Sequence, residues 1–162
     1  ELLNAWCGYN DYPVVGVIHK QNNPGSDIFF KELRELSGFK HLYRKESLDK
    51  MYRVLKEGKM LGLVSDQDAK LRGVFINFLN QATSTPKGAA RFHLKSKAPM
   101  VFVTCVEKFP NKYEINFRKV LSSPNDTVKD ITQRYSTMLE EIIKQHPEQY
   151  FWWHRRWKTK PV

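Results

Sequence analysis

Leu61-Gly62-Leu63-Val64-Ser65-Asp66-Gln67-Asp68 opens the stretch, ending at Phe92, from which the fold is read. An apolar run passes into acidic and amide side chains, as a buried strand does where it leaves a sheet. After a loop come Phe75-Ile76-Asn77-Phe78 and then Thr83-Ser84-Thr85-Pro86-Lys87-Gly88-Ala89-Ala90. Thr85 suits an N-cap and Pro86 the first turn of a helix reaching Lys95. In open α/β sheets, ligands collect where strands end and helices begin. Asp66 and Gln67 near a helix N-terminus bearing Lys87 are therefore a candidate site. The alternative is a solvated strand-to-helix connection.

Working outward, the same logic repeats on the N-terminal side. Residues 1–9 read as a short helix, and Pro13 to Ile18 is a continuous apolar run typical of a buried strand. Asn22 to Asp27 is a turn with a helix start, and the helix through Ile28 and Leu36 stops at Gly38. Phe39 to Tyr43 is a short strand, and Ser47 caps a helix from Leu48 to Lys56. On the C-terminal side, Pro99 to Val106 is another apolar strand. Tyr113 to Val120 alternates strictly, which predicts a half-exposed antiparallel strand paired with its predecessor across Pro110-Asn111. Asp126 to Gln145 is the longest helix, with Val128, Ile131, Tyr135, Met138, Leu139, Ile142 and Ile143 on one face. Strands alternating with helices imply an α/β fold, a mainly parallel or mixed sheet covered by helices on both faces. With no linker or internal repeat, residues 1–162 read as one domain ending in an aromatic-basic tail, 147–162.

Composition narrows the function. At 41% hydrophobic and 13% aromatic, the chain is too apolar to be disordered. No apolar run approaches the roughly 18–20 residues that cross a bilayer. Cys7 and Cys105 lack metal or redox spacing and are expected to be free thiols. The formal charge of +10 favours an anionic partner. His154, Arg155, Arg156, Lys158 and Lys160 fall within seven residues, interleaved with Trp152, Trp153 and Trp157, a pattern suited to an interface bearing anionic lipid. His154 itself is expected to be a hydrogen-bonded structural residue.

Several motifs occur together in one order. They are Asn23-Pro24, Arg34, Asp66-Gln67, Phe75-Ile76-Asn77-Phe78, Ala82 to Ala90, Ala98-Pro99-Met100-Val101, and Pro147-Glu148-Gln149-Tyr150-Phe151-Trp152-Trp153-His154-Arg155-Arg156-Trp157-Lys158. In this set the chain resembles the C-terminal two-thirds of the bacterial lipid A biosynthesis acyltransferases, within the lysophospholipid acyltransferase superfamily. The resemblance implies a glycerol-phosphate-acyltransferase-like fold and a catalytic histidine followed after four residues by an acidic residue. Glu1 matches that acidic member, so the chain is expected to be the C-terminal portion of a longer protein whose histidine lies five positions upstream. This stretch alone is then expected to be inactive. His41 to Glu46 satisfies the same spacing, but from a strand, and is read as an accident. Where relatives often carry Tyr-Arg-Pro, this chain has Ile18-His19-Lys20.

The implied chemistry is transfer of a fatty acyl group from an acyl-carrier-protein or CoA thioester to a hydroxyl of a lipid A precursor. A histidine takes the alcohol's proton, and Glu1 orients it and stabilises the imidazolium. Without the resemblance, Glu1 reads as a helix N-terminal acid. Arg34 is expected either at the oxyanion or on an acceptor phosphate, the alternative being a surface ion pair. Asp66 and Gln67 either hold an acceptor hydroxyl or brace the cleft wall opposite Glu1. Thr85 and Lys87 are candidate phosphate or phosphopantetheine contacts, and Arg155 and Arg156 candidate substrate contacts. Phe75 and Phe78 are expected in the core. No metal or organic cofactor is implied. Expected partners are acyl carrier protein, an anionic glycolipid and a membrane surface at the cytoplasmic face of the bacterial inner membrane, with no nucleic acid. Competing readings are acylation of another lipid, a basic nucleic-acid-binding or anion-binding module, and an inactive interaction domain.

Overall fold

The first three strands foreseen in the sequence come together as one parallel sheet. The computed structural model, which describes residues 1–161, divides into two compact units, Glu1–Val64 and Ser65–Val162. In the first unit the order is α1 (Leu2–Tyr9), β1 (Val14–Ile18), α2 (Pro24–Leu36), β2 (Lys40–Tyr43), α3 (Leu48–Lys56) and β3 (Met60–Leu63). The strands lie in the order β2-β1-β3, with both neighbours parallel to β1. Parallel neighbours need crossovers, and α2 and α3 supply them.

Local chemistry sets these boundaries. Asn23 accepts a 3.0 Å hydrogen bond from the Ser26 N–H, and Pro24 follows at the first helical position. Gly38, at φ +81, ends α2 in the left-handed conformation. Ser47 occupies the α3 cap position, but its side chain makes no capping bond there. Cys7, Val15, Phe39, Met51 and Val54 form the unit's buried apolar set. Gly16 in β1 makes room for the Phe39 ring, which a Cβ would approach to 2.7 Å.

The second unit departs from a parallel sheet. It contains two antiparallel hairpins, β4 (Val74–Phe78) with β5 (Gln81–Thr85) and β6 (Met100–Phe109) with β7 (Lys112–Val120). Leu79 and Asn80 both have positive φ, as a two-residue hairpin turn of this hand requires. β6 and β7 pair antiparallel across Pro110-Asn111 as the sequence predicted, with a register irregularity between Glu107 and Phe109. Burial along β7 does not alternate: Tyr113 and Phe117 are exposed.

One sequence expectation is corrected here. Thr85 is not a helix N-cap: residues 83–85 pair with 74–76 as strand β5. Helix α4 starts only at Gly88, with Lys87 in the cap position. β-Branched threonines suit a strand, and Pro86, which has no N–H, ends the ladder.

Helix α5 (Val128–Gln145) opens with a reciprocal capping box between Thr127 and Asp130. Its apolar face divides between two clusters. Ile131, Tyr135 and Met138 pack with Ala90 and Val120, while Ile143 packs with Ile76 and Phe78. Amide side chains then close open strand edges. Gln133 bonds both the N–H and the C=O of Asn77 at 2.8 Å, and Gln149 does the same for Glu107. An edge strand's unpaired groups are satisfied in this way without another strand. Cys7 and Cys105 are free, and burial pushes both thiols up. Among the described residues no helix is long and apolar enough to cross a membrane.

Candidate functional site

The candidate residues fall into two sets, one in each unit. In the first, Glu1 stands immediately before α1 and Arg34 occupies the last turn of α2. The Arg34 guanidinium grips the Glu1 carboxylate with two parallel bonds, Nη2 to Oε1 at 2.6 Å and Nε to Oε2 at 3.0 Å. Such a fork fixes a carboxylate's orientation as well as its charge. Arg34 is only 9% exposed and lies over the Phe30 ring, 5.5 Å from its centroid. Asn4 adds a 3.3 Å bond to Glu1 Oε2. Burial works to raise the Glu1 pKa. Against it, the Arg34 hydrogen bonds and charge, with the Asn4 bond, pull the carboxyl down.

Arg34 is therefore a paired residue, with Nη1 left over from the Glu1 fork. His41 lies in β2, and burial, with the charges of Arg34 and Lys31, lowers its pKa. Glu46 accepts from the Tyr43 N–H at 2.8 Å and pairs with Lys50 at 2.5 Å, so the histidine-acid spacing there makes no dyad.

The second set centres on Arg156, which the sequence placed beside Arg155 as a substrate contact. Arg155 is exposed. Arg156 instead turns inward and is 2% exposed. It donates to the Ser84 carbonyl and to Thr85 Oγ1, both at 2.6 Å, and lies 5.3 Å over the Phe78 ring. Thr85, fully buried, thus serves the arginine rather than a helix N-terminus. Burial pulls the Arg156 pKa down, while the neighbouring Tyr150, Asp66, Asp68 and Tyr135 hold it up. Asp66 is half-buried, and its Oδ1 is enclosed without a hydrogen-bond partner, as are Asp68 Oδ1 and Arg156 Nε. Gln67 is exposed, and Lys87 is half-buried at the start of α4.

Asp68 is a residue the sequence reading passed over. Its N–H donates to His154 Nε2 at 2.9 Å, and its Oδ2 accepts from Thr159 Oγ1 at 2.9 Å. With Nε2 accepting, the neutral His154 ring carries its proton on Nδ1, and the histidine is structural as expected. Trp157 Nε1 donates to the Phe78 carbonyl at 3.2 Å, and its ring stacks on Phe78. The sequence signal for Asp68 was its place two residues after Asp66, in the same polar loop. An open depression of about 410 Å³, lined by Phe75, Asn77, Ala82, Lys129 and Gln133 among others, includes none of the predicted site residues.

A mixed α/β chain with these motifs in order is an acyltransferase-type chain, and residues 7–159 match the family of bacterial lipid A biosynthesis acyltransferases. The chain belongs to that family. Among its relatives, the lipid A biosynthesis lauroyltransferase of Escherichia coli (strain K12) is 29% identical over 153 residues, covering 92% of this chain and 50% of the relative. The palmitoleoyltransferase of the same strain and the lipid A biosynthesis acyltransferase of Shigella flexneri are each 29% identical over 111 residues, 67% of this chain and 36% of theirs. The chain thus spans at most about half the length of these relatives. Arg34, Asp66, Gln67, Thr85, Lys87, Arg155 and Arg156 lie within the matched residues, and Glu1 precedes them.

Proposed function

We infer that the chain is part of an enzyme that moves a fatty acyl group from acyl carrier protein to a hydroxyl of a lipid A precursor, at the cytoplasmic face of the bacterial inner membrane. The observation that carries this reading is the Glu1–Arg34 fork. An acid ahead of a helix is ordinary, but one clamped bidentately by a buried arginine is held to a single direction. In the proposed reaction, a histidine that the family pattern would place five positions before Glu1 takes the hydroxyl proton as the oxygen attacks the thioester carbonyl. Glu1 holds the imidazole's other nitrogen and stabilises the imidazolium. The tetrahedral oxyanion collapses to the ester, and the departing thiolate takes the proton from the imidazolium. Arg34 acts as a positioning residue through Glu1, and its Nη1 remains for the oxyanion or an acceptor phosphate. Asp66 and Gln67 are assigned to the acceptor hydroxyl, and Lys87 and Arg155 to anionic groups of either substrate. Of the +10 formal charge, Ser65–Val162 carries +8, with 17 Lys and Arg against 9 Asp and Glu, which suits an acidic carrier protein and a phosphorylated glycolipid.

The test is acyl transfer by the full-length protein to a lipid A precursor, with acyl carrier protein and CoA thioesters compared as donors. Glu1→Gln is expected to lower kcat by about 10²-fold or more. Arg34→Ala is expected to lower kcat, with KM little changed where Nη1 serves the oxyanion and raised where it serves an acceptor phosphate, and Arg34→Lys to restore part of kcat. Without Arg34 the Glu1 pKa rises, so the acid limb of the kcat profile moves towards neutral pH. An unchanged kcat for Glu1→Gln refutes the dyad, and transfer to other lipids alone refutes the acceptor.

A further inference from the structure

Phe151, Trp152 and Trp153 are consecutive aromatics, 63%, 47% and 88% exposed. Rings of this size are ordinarily taken into a core or an interface. Here both flanks of the turn are fixed, so it cannot fold back to cover them. On one side, Gln149 is bonded to both backbone groups of Glu107, and Trp152 Nε1 donates to the Pro147 carbonyl at 2.6 Å. On the other, Arg156 is buried and Trp157 stacks on Phe78. Trp152 rests one face near Trp157, with centroids 6.5 Å apart and planes within 16°, meets Tyr150 edge-on at 4.9 Å, and leaves about half its surface open. The turn is closed by the His154 N–H to the Phe151 carbonyl at 3.3 Å.

Along residues 151–160 the charge has one sign, and the acid bonded to this segment, Asp68, is half-buried under His154 and Thr159. Arg155, Lys158 and Lys160 are exposed, and no acid occurs between Phe151 and Lys160. The nearest acid in sequence, Glu148, lies 3.8 Å from His146. The bonds of Gln149 to Glu107 also bring the β6–β7 hairpin end to this segment. That end presents Phe109, 68% exposed, with Lys108 and Lys112; Lys108 lies 3.8 Å from Glu114.

We propose that the turn Phe151–His154 docks on an anionic lipid bilayer. The rings enter the headgroup layer, and Arg155, Lys158 and Lys160 meet lipid phosphates. A platform for nucleic acid needs successive rings laid along a basic groove. Rings projecting from a single turn fit a soft, planar interface better. The inference deepens the inner-membrane reading above and rests on it only for the setting, because vesicle binding is measured apart from acyl transfer.

The experiment is cosedimentation of the chain with vesicles of phosphatidylethanolamine and phosphatidylglycerol, against phosphatidylcholine alone, with tryptophan emission recorded. The expected result is binding to the anionic vesicles with a blue shift. Phe151→Ala/Trp153→Ala is expected to weaken it by about tenfold or more. Arg155→Ala/Lys158→Ala is expected to weaken it by about fivefold per charge, on anionic vesicles only. An unchanged urea midpoint shows that the variants fold. Quenching of the unsubstituted chain's emission by brominated lipid tests the same contact without a mutation. Equal binding by Phe151→Ala/Trp153→Ala, absence of quenching, or binding to an oligonucleotide but not to vesicles each overturns the proposal.

Discussion

Replacing Arg156 by alanine separates a structural arginine from a substrate ligand. The side chain makes two 2.6 Å bonds, to the Ser84 carbonyl and Thr85 Oγ1. A hydrogen bond from a charged donor contributes about 1.5–3 kcal/mol. The guanidinium over Phe78 adds about 1–2 kcal/mol in a desolvated setting. Against this stands the desolvation of the buried cation, which alanine relieves. Alanine also removes a positive charge on which Asp66 and Asp68 act. The two charge-assisted bonds and the ring contact, less the relieved desolvation, set an expected loss of about 2–4 kcal/mol. Arg156→Met keeps the packing stem without the bonds and should lose about 2–3 kcal/mol. Equilibrium urea unfolding, followed by tryptophan emission, measures both, because Trp157 stacks on Phe78 with centroids 6.0 Å apart. A loss below about 1 kcal/mol for Arg156→Ala, with KM raised in the full-length enzyme, would refute the reasoning and return Arg156 to the substrate.

Two further outcomes follow from local geometry. Arg134 and the Ser123 N–H hold Asp126 down from 3.8 to about 2. A depressed carboxyl stabilises the fold above its unfolded value, and that contribution fades as pH falls from about 4 through about 2. Asp126→Asn should therefore flatten acid unfolding in that window, and an unchanged acid profile counts against the pair. At Gly73 a Cβ would collide with Ser84 Oγ and come within 2.9 Å of the Thr85 carbonyl. Its φ of −77° is open to any residue, so space alone demands glycine. Gly73→Ala should cost about 1–3 kcal/mol, and a wild-type urea midpoint would contradict the close approach.

Elements governed by periodicity and capping were legible in the sequence. The apolar run of β1, the Asn23-Pro24 helix start and the β6–β7 pairing across Pro110-Asn111 each carry their cause locally. Thr83-Ser84-Thr85-Pro86 misled because threonine before proline is as good a strand end as a helix start. What decided it was pairing with Val74–Ile76. The Glu1–Arg34 fork joins residues 33 apart, and no spacing rule reports such a contact. The tail misled in another way. Arg155 and Arg156 are neighbours of the same chemical type, yet one is exposed and the other enclosed. The carbonyl of Ser84 and the hydroxyl of Thr85, 72 and 71 residues away, distinguish them.

That separation bears on the order in which the second unit forms. The hydrogen bonds of residues 154–159 to the strands and the Asp68 loop span 71 to 91 residues, from Thr85–Arg156 to Asp68–Thr159. The two hairpins and α5 are local by comparison. Loop closure must precede any reward from distant contacts, so the hairpins and helix should assemble first and the tail dock last. Interactions made after the transition state act on the escape rate rather than the arrival rate. In denaturant-jump experiments, Arg156→Ala should therefore speed unfolding and leave refolding near the wild-type rate. Slowed refolding would place the tail in the nucleus instead. On this account the buried arginine works as a latch: it does little to build the second unit and much to set how long it stays closed.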